Sequence, residues 1–128
     1  MTDDTHPLLD PAQVADLLAL DRSGALLAQF VDLFVADAGG RIAQIGRHAG
    51  AAEGPALADA AHALRGAAGN LGATRFARLC ERIEVAAKAG EFEAARAAVV
   101  LLDEEYGATR DALLAATGRS FPRHTEMF

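Results

Sequence analysis

The sequence predicts an all-α fold: an antiparallel up-and-down four-helix bundle with a short additional N-terminal helix. Three observations predict it. Apolar residues recur at spacings of three and four along four long stretches, as helices packed side by side require. The joints between the later stretches are short and rich in Gly, so consecutive helices must turn back on each other. No stretch alternates apolar and polar residues at the period of two that a half-buried strand needs.

The elements follow in chain order. Asp10 is placed to cap a first helix over 11–20, with Pro11 at its first position and Gln13 three residues after the cap. Ser23 can cap a second helix running to Ala49, whose apolar face is Leu27, Phe30, Phe34, Ile42 and Ile45. Gly39 and Gly40 are expected to kink or fray that helix near its middle. Gly54 and Pro55 start a third, with the inward stripe Leu57, Ala61, Leu64, Ala68 and Leu71. A fourth covers Thr74 to Ala89, turning Phe76, Leu79, Cys80 and Ile83 inward, and Gly90 can close it in a left-handed cap. The last helix carries the seam Phe92, Ala95, Val99, Leu102, Tyr106, Thr109 and Leu113. The domain is expected to span 10–116, between an N-terminal tail over 1–9 and a mobile C-terminal tail over 117–128 that includes Phe121 and His124.

Composition narrows the function. With 128 residues, 52% of them hydrophobic, the chain suits one domain with a small core. A net charge of −6 and twelve scattered Lys and Arg residues argue against nucleic acid or an anionic membrane as partner. No apolar run reaches membrane-spanning length, and the start "MTDDTHPLLD" lacks the features of a signal peptide, so a cytoplasmic location is expected. The single cysteine, Cys80, excludes an internal disulfide and reads as a small core residue. There is no Gly-rich phosphate loop, no HExxH and no paired-cysteine metal site, so neither an ATP site nor a bound metal is expected.

The segment "AHALRGAAGN", residues 61–70, carries the chemistry. His62 lies one residue past the seam position Ala61, at the edge of the bundle with its ring in water. Its helical neighbours are Ala58, Asp59, Arg65 and Gly66, with Gly69 and Asn70 a turn further on. Most are very small, so the surface around the imidazole is low and flat, as a landing site for another protein should be. Gly66 removes the side chain that would collide first. A neutral imidazole is a nucleophile near neutral pH, and Arg65 can neutralise an incoming phosphoryl group. His6, His48 and His124 lack such surroundings and read as solvated surface groups.

The run His62, Arg65, Gly66 and Gly72, followed by Leu79, Cys80 and Glu84 in "AHALRGAAGNLGATRFARLCERIE", resembles the histidine-containing phosphotransfer (HPt) domain of multistep phosphorelays. Arg65 stands where lysine is commoner in that family, which keeps the charge on a broader planar donor. Gly39 and Gly40 fall where many members have Thr-Pro or similar residues. The resemblance implies a monomeric helical bundle whose histidine accepts a phosphoryl group from one receiver-domain aspartate and passes it to another. It implies His62 as phosphoacceptor, Arg65 beside the transferring group, and Glu84 as a polar residue of the fourth helix facing the ring. Ala58, Asp59, Gly66, Gly69 and Asn70 are then the partner-docking residues. The implied partners are the receiver domain of a hybrid histidine kinase and that of a response regulator, with Mg²⁺ supplied by the receiver and no cofactor of the chain's own. With no linker or second domain evident, the chain reads as a free-standing carrier. A non-transferring adaptor that binds a response regulator, and a kinase phosphoacceptor domain, are the alternatives. The latter usually has an acidic residue directly after its histidine, where this chain has Ala63.

Overall fold

A computed structural model of the chain describes residues 7–118. The expectations for 1–6 and 119–128, including His6, Phe121 and His124, lie outside the described residues. Six helices and no strand form among those described: α1 (Pro11–Leu20), α2 (Ala25–Gly50), α3 (Gly54–Asn70), α4 (Thr74–Lys88), α5 (Phe92–Val100) and α6 (Leu102–Ala116).

The Asp10 carboxylate caps α1 by accepting from the backbone N–H groups of Ala12 at 3.0 Å and Gln13 at 3.4 Å. Gln13 does not fold back onto this cap. Its Nε2 donates to the Gly69 carbonyl at 2.6 Å, and the Asp10 N–H donates to the Gly72 carbonyl at 2.8 Å, so α1 is clipped to the end of α3. The backbone at Gly72 favours glycine, and Gln13 packs close beside it. The Gly72 φ of +74° lies in the left-handed region, and a Cβ would stand 3.4 Å from that of Gln13.

At the start of α2 the sequence reading needs correction. The helix begins behind Gly24, whose φ is 78°, and the organising residue is Asp21, not Ser23 alone. The Asp21 carboxylate accepts from the Ser23 N–H at 3.0 Å, the Ser23 hydroxyl at 2.7 Å and the Leu26 N–H at 3.2 Å, while Ser23 Oγ accepts from Ala25 N–H at 3.2 Å. The hydroxyl bond from Ser23, with the backbone N–H bonds, holds the Asp21 carboxyl below its ordinary value.

The expected kink at Gly39 and Gly40 is absent, and α2 runs unbroken for 26 residues. Both glycines are exposed, and each costs about 1 kcal/mol relative to alanine. Val31, Phe34, Ala38, Ile45 and Ala49 are buried on one face to either side of them. Burial of a large apolar side chain contributes roughly 1.5–3 kcal/mol, which outweighs that cost. An Asp37–Arg41 ion pair also bridges the two glycines.

The stripes of α3 and α4 lie inward as read: Leu57, Ala61, Leu64, Ala68 and Leu71, and Phe76, Leu79, Cys80 and Ile83, are all buried. These two helices make the most extensive contact in the molecule. Gly54 allows the close approach at one end, because a Cβ there would meet the Ala87 carbonyl at 3.3 Å and the Phe92 ring at 3.5 Å. Gly90, with φ +72°, follows α4 in the left-handed conformation. Burial pushes the Cys80 thiol up to about 12, which fits a core residue and not a reactive one.

The last helix of the sequence reading is two. Leu101 interrupts it: its N–H donates to the Ala98 carbonyl at 3.1 Å, three residues back, and the ladder tightens for one turn before α6 begins. The β-branched pair Val99 and Val100 sits at this point and is poorly suited to a straight helix. The seam shifts with it, so that Ala98 and Glu105 turn inward and Val99 and Tyr106 are only half-buried.

The core closes around a ring of neighbours: α2 packs on α3, α5 and α6, and α4 packs on α3, α5 and α6. Phe34 and Phe76 within it and the half-buried Tyr106 against it form an aromatic trio with all three centroid separations 6.1 Å. Among the described residues no helix is long and apolar enough to cross a membrane.

Candidate functional site

His62 projects from the middle of α3 with 63% of its side chain exposed, at the α3–α4 edge. Both contacts of its ring fall on Nδ1: Glu84 Oε2 from α4 at 3.1 Å, and Arg65 Nη2, one helical turn along α3, at 3.0 Å. Nε2 takes part in neither contact. Arg65 reaches further, with Nη1 donating to Glu81 Oε2 at 3.2 Å and Nε 3.3 Å from Glu84 Oε1. Lys88 Nζ lies 2.9 Å from Glu84 Oε2.

Glu84 is the buried member of this group, with only 7% of its side chain exposed. Burial pushes its carboxyl up, but the Lys88 hydrogen bond and the charges of Arg65, Lys88 and His62 outweigh this and hold it below the ordinary value of 4.5. A carboxylate whose pKa is lowered by folding contributes stability above its unfolded value and loses it as pH falls through the folded one. Tm measured against pH should therefore fall more steeply below about pH 4.5 in the wild type than in Glu84→Gln. Parallel acid limbs for the two proteins would contradict this.

The other residues read from the sequence fall into two groups. Gly66, Asp59 and Asn70 are exposed on α3, and a Cβ on Gly66 or Gly69 would meet nothing within 4 Å. Neither glycine is a packing contact. Gly69 is half-buried, its carbonyl held by Gln13. Ala58 departs from expectation. It is 4% exposed, on the α4 side of α3, and lies beneath the surface in a hollow shared with Gly54, Asp59, Ala87 and Lys88. Its small side chain lies where α3 approaches α4.

Sequence reasoning missed Glu81, Lys88 and an apolar groove. The Glu84–Lys88 spacing of four was the available signal for the lysine. Nothing local marks Glu81, which meets Arg65 across 16 positions. The groove, about 730 Å³, lies between α2 and α3; Phe30, Leu33, Phe34, Ala67, Asn70 and Leu71 line it, and the Asp37–Arg41 ion pair forms the rest of its wall. Phe30 was expected on the buried face but is 39% exposed there, and Leu33 is 62% exposed. His48, read as a solvated surface group, meets Glu53 Oε1 at 3.0 Å in an exposed contact. No group of three or more His, Cys, Asp or Glu that could hold a metal ion occurs among the described residues.

The sequence profile of the Hpt domain matches residues 29–112, which span α2 to α6 apart from their outermost turns. The chain belongs to the Hpt domain family. No curated protein sequence matches it. The structure of the Hpt domain is similar to the crystal structure of histidine-containing phosphotransfer protein B (HptB) from Pseudomonas aeruginosa PAO1, with TM-score 0.79 and 26% sequence identity. The match covers 90% of this chain and 98% of HptB.

Proposed function

We propose that the protein carries a phosphoryl group on His62 between receiver-domain aspartates in a two-component phosphorelay. The observation that carries this reading is the exposed imidazole of an Hpt domain, set on a surface cleared by Gly66 and flanked by Arg65 and Glu84. A receiver brings the aspartyl phosphate and its Mg²⁺. With its proton on Nδ1, His62 attacks the phosphorus in line through Nε2. The Nε2–P bond forms, the Asp O–P bond breaks, and its electron pair stays on the aspartate carboxylate. The ring becomes cationic, with the Nδ1 proton directed at Glu84, and Arg65 offsets the charge on the phosphoryl oxygens. Lys88 keeps Glu84 ionised for this role. Return of the group to a second receiver reverses these steps.

In the same reading α5 and α6 act as one rod. Then α2, α3, α4 and α5–α6 form the antiparallel up-and-down four-helix bundle, and α1 is the short additional helix. Gly66, Gly69, Asn70 and the apolar groove beside them offer the receiver a continuous docking face on α2 and α3. The protein acts as a cytoplasmic monomer and has no kinase or ATP site and no cofactor of its own. Incubation with ATP and Mg²⁺ alone should leave it unlabelled, whereas a phosphorylated receiver domain should label it with an acid-labile, base-stable phosphoryl group. Self-labelling from ATP, or no label from any receiver, would overturn the carrier reading.

A further inference from the structure

Nδ1 of His62 has two claimants that it cannot serve together. Toward Glu84 Oε2, at 3.1 Å, it can only donate, and so must carry the proton. Toward Arg65 Nη2, at 3.0 Å, it can only accept, because a guanidinium has no acceptor, and so must be bare. A neutral ring with bare Nδ1 carries its proton on Nε2, and Nε2 then has no lone pair to attack with. Arg65 in this position therefore selects the tautomer that cannot accept a phosphoryl group.

Two features keep Arg65 there or let it go. Its Nη1 is tied to Glu81 Oε2 at 3.2 Å, on the face of α4 that looks toward α3. Glu84 Oε1 is buried, lies 3.3 Å from Arg65 Nε and accepts no hydrogen bond. It is an acceptor already waiting for the same guanidinium. A small turn of Arg65 about its own axis would bring Nε–H onto Oε1 and draw Nη2 off the imidazole.

We propose that Glu81 is a positioning residue that parks Arg65 on Nδ1 of His62, holding the ring in its non-accepting tautomer until an incoming phosphoryl group draws Arg65 away. The proposal rests on the carrier reading of His62 and adds a gate to it. When the dianionic phosphoryl oxygens arrive they compete with Glu81 for the guanidinium. Arg65 moves to them, the ring proton passes through water from Nε2 to Nδ1, and Nδ1 donates to Glu84. The lone pair on Nε2 is then free, so the same event that brings charge compensation also arms the nucleophile. No proton is gained or lost overall in this exchange.

The test uses the isolated full-length protein with ¹⁵N-labelled histidine. Glu81→Gln should raise the fraction of the Nδ1–H tautomer of His62, read from its ring nitrogen shifts in the absence of any partner. It should also raise the rate of phosphoryl acceptance from a phosphorylated receiver by up to about fivefold, the scale that release of one exposed ion pair can supply. In an Arg65→Ala background, Glu81→Gln should alter neither quantity, because there is no guanidinium left to park. An unchanged tautomer ratio, a slower transfer in Glu81→Gln, or an equal effect with and without Arg65 would each overturn the gate. Failure of the carrier reading is separately visible: the tautomer shift would then be present while no receiver labels the protein.

Discussion

His62→Gln should abolish labelling by a phosphorylated receiver domain while leaving helix content and Tm nearly unchanged. Glutamine has no nucleophilic nitrogen, so a nitrogen-bound phosphoryl group cannot form on it. The cost to the fold should be small because the ring is mostly in water and because Glu84, the buried partner left behind, keeps Lys88 and Arg65 as counter-charges. His48→Gln should retain the label, since His48 pairs with Glu53 and lies at the far end of α2. Autoradiography of the two variants beside the wild type reads the result directly. Loss of label in His48→Gln and its survival in His62→Gln would put the phosphoacceptor at the wrong end of the molecule.

The second large effect is expected at Gly66, one helical turn beyond His62 on the same face. Gly66→Leu should keep the fold and slow phosphoryl acceptance about a hundredfold or more, roughly 2.7 kcal/mol of barrier, because its side chain would stand where the receiver must approach. Gly66→Ala should raise stability by up to about 1 kcal/mol, since a Cβ there meets nothing within 4 Å and an exposed helical glycine is costly. Stability and transfer then move in opposite directions at one position. Thermal melts paired with single-turnover transfer assays test this, and a Gly66→Leu variant that transfers at the wild-type rate would remove the landing-site argument.

What could be read from the sequence, and what could not, divides along a physical line. The inward stripes of α3 and α4 were legible because their spacing is imposed by the helix itself, and the Asp10 cap and Gly90 turn because their chemistry is local. The edge position of His62 followed from Ala61 by rotation alone. The unbroken course of α2 over Gly39 and Gly40 was not legible, because it is decided by Phe34, Ala38 and Ile45 packing on other helices, which outweighs local propensity. The break at Leu101 likewise reflects a backbone ladder that slips under packing, a choice that apolar spacing does not record. In the site, the parts carried by one helix could be read. Glu81 and the burial of Ala58 could not, because both depend on how near α4 comes to α3.

That nearness has a kinetic side. His62, Arg65, Glu81, Glu84 and Lys88 all belong to one helical hairpin, α3 and α4 joined by residues 71–73. Bringing them together requires closure of a very short loop, at small entropic cost and on the fast timescale of local helix pairing. The phosphoacceptor and its counter-charges can thus meet before the chain termini have found their places. Mutations that slow the docking of α1 or α6 should delay completion of the native state without delaying assembly of the histidine's surroundings.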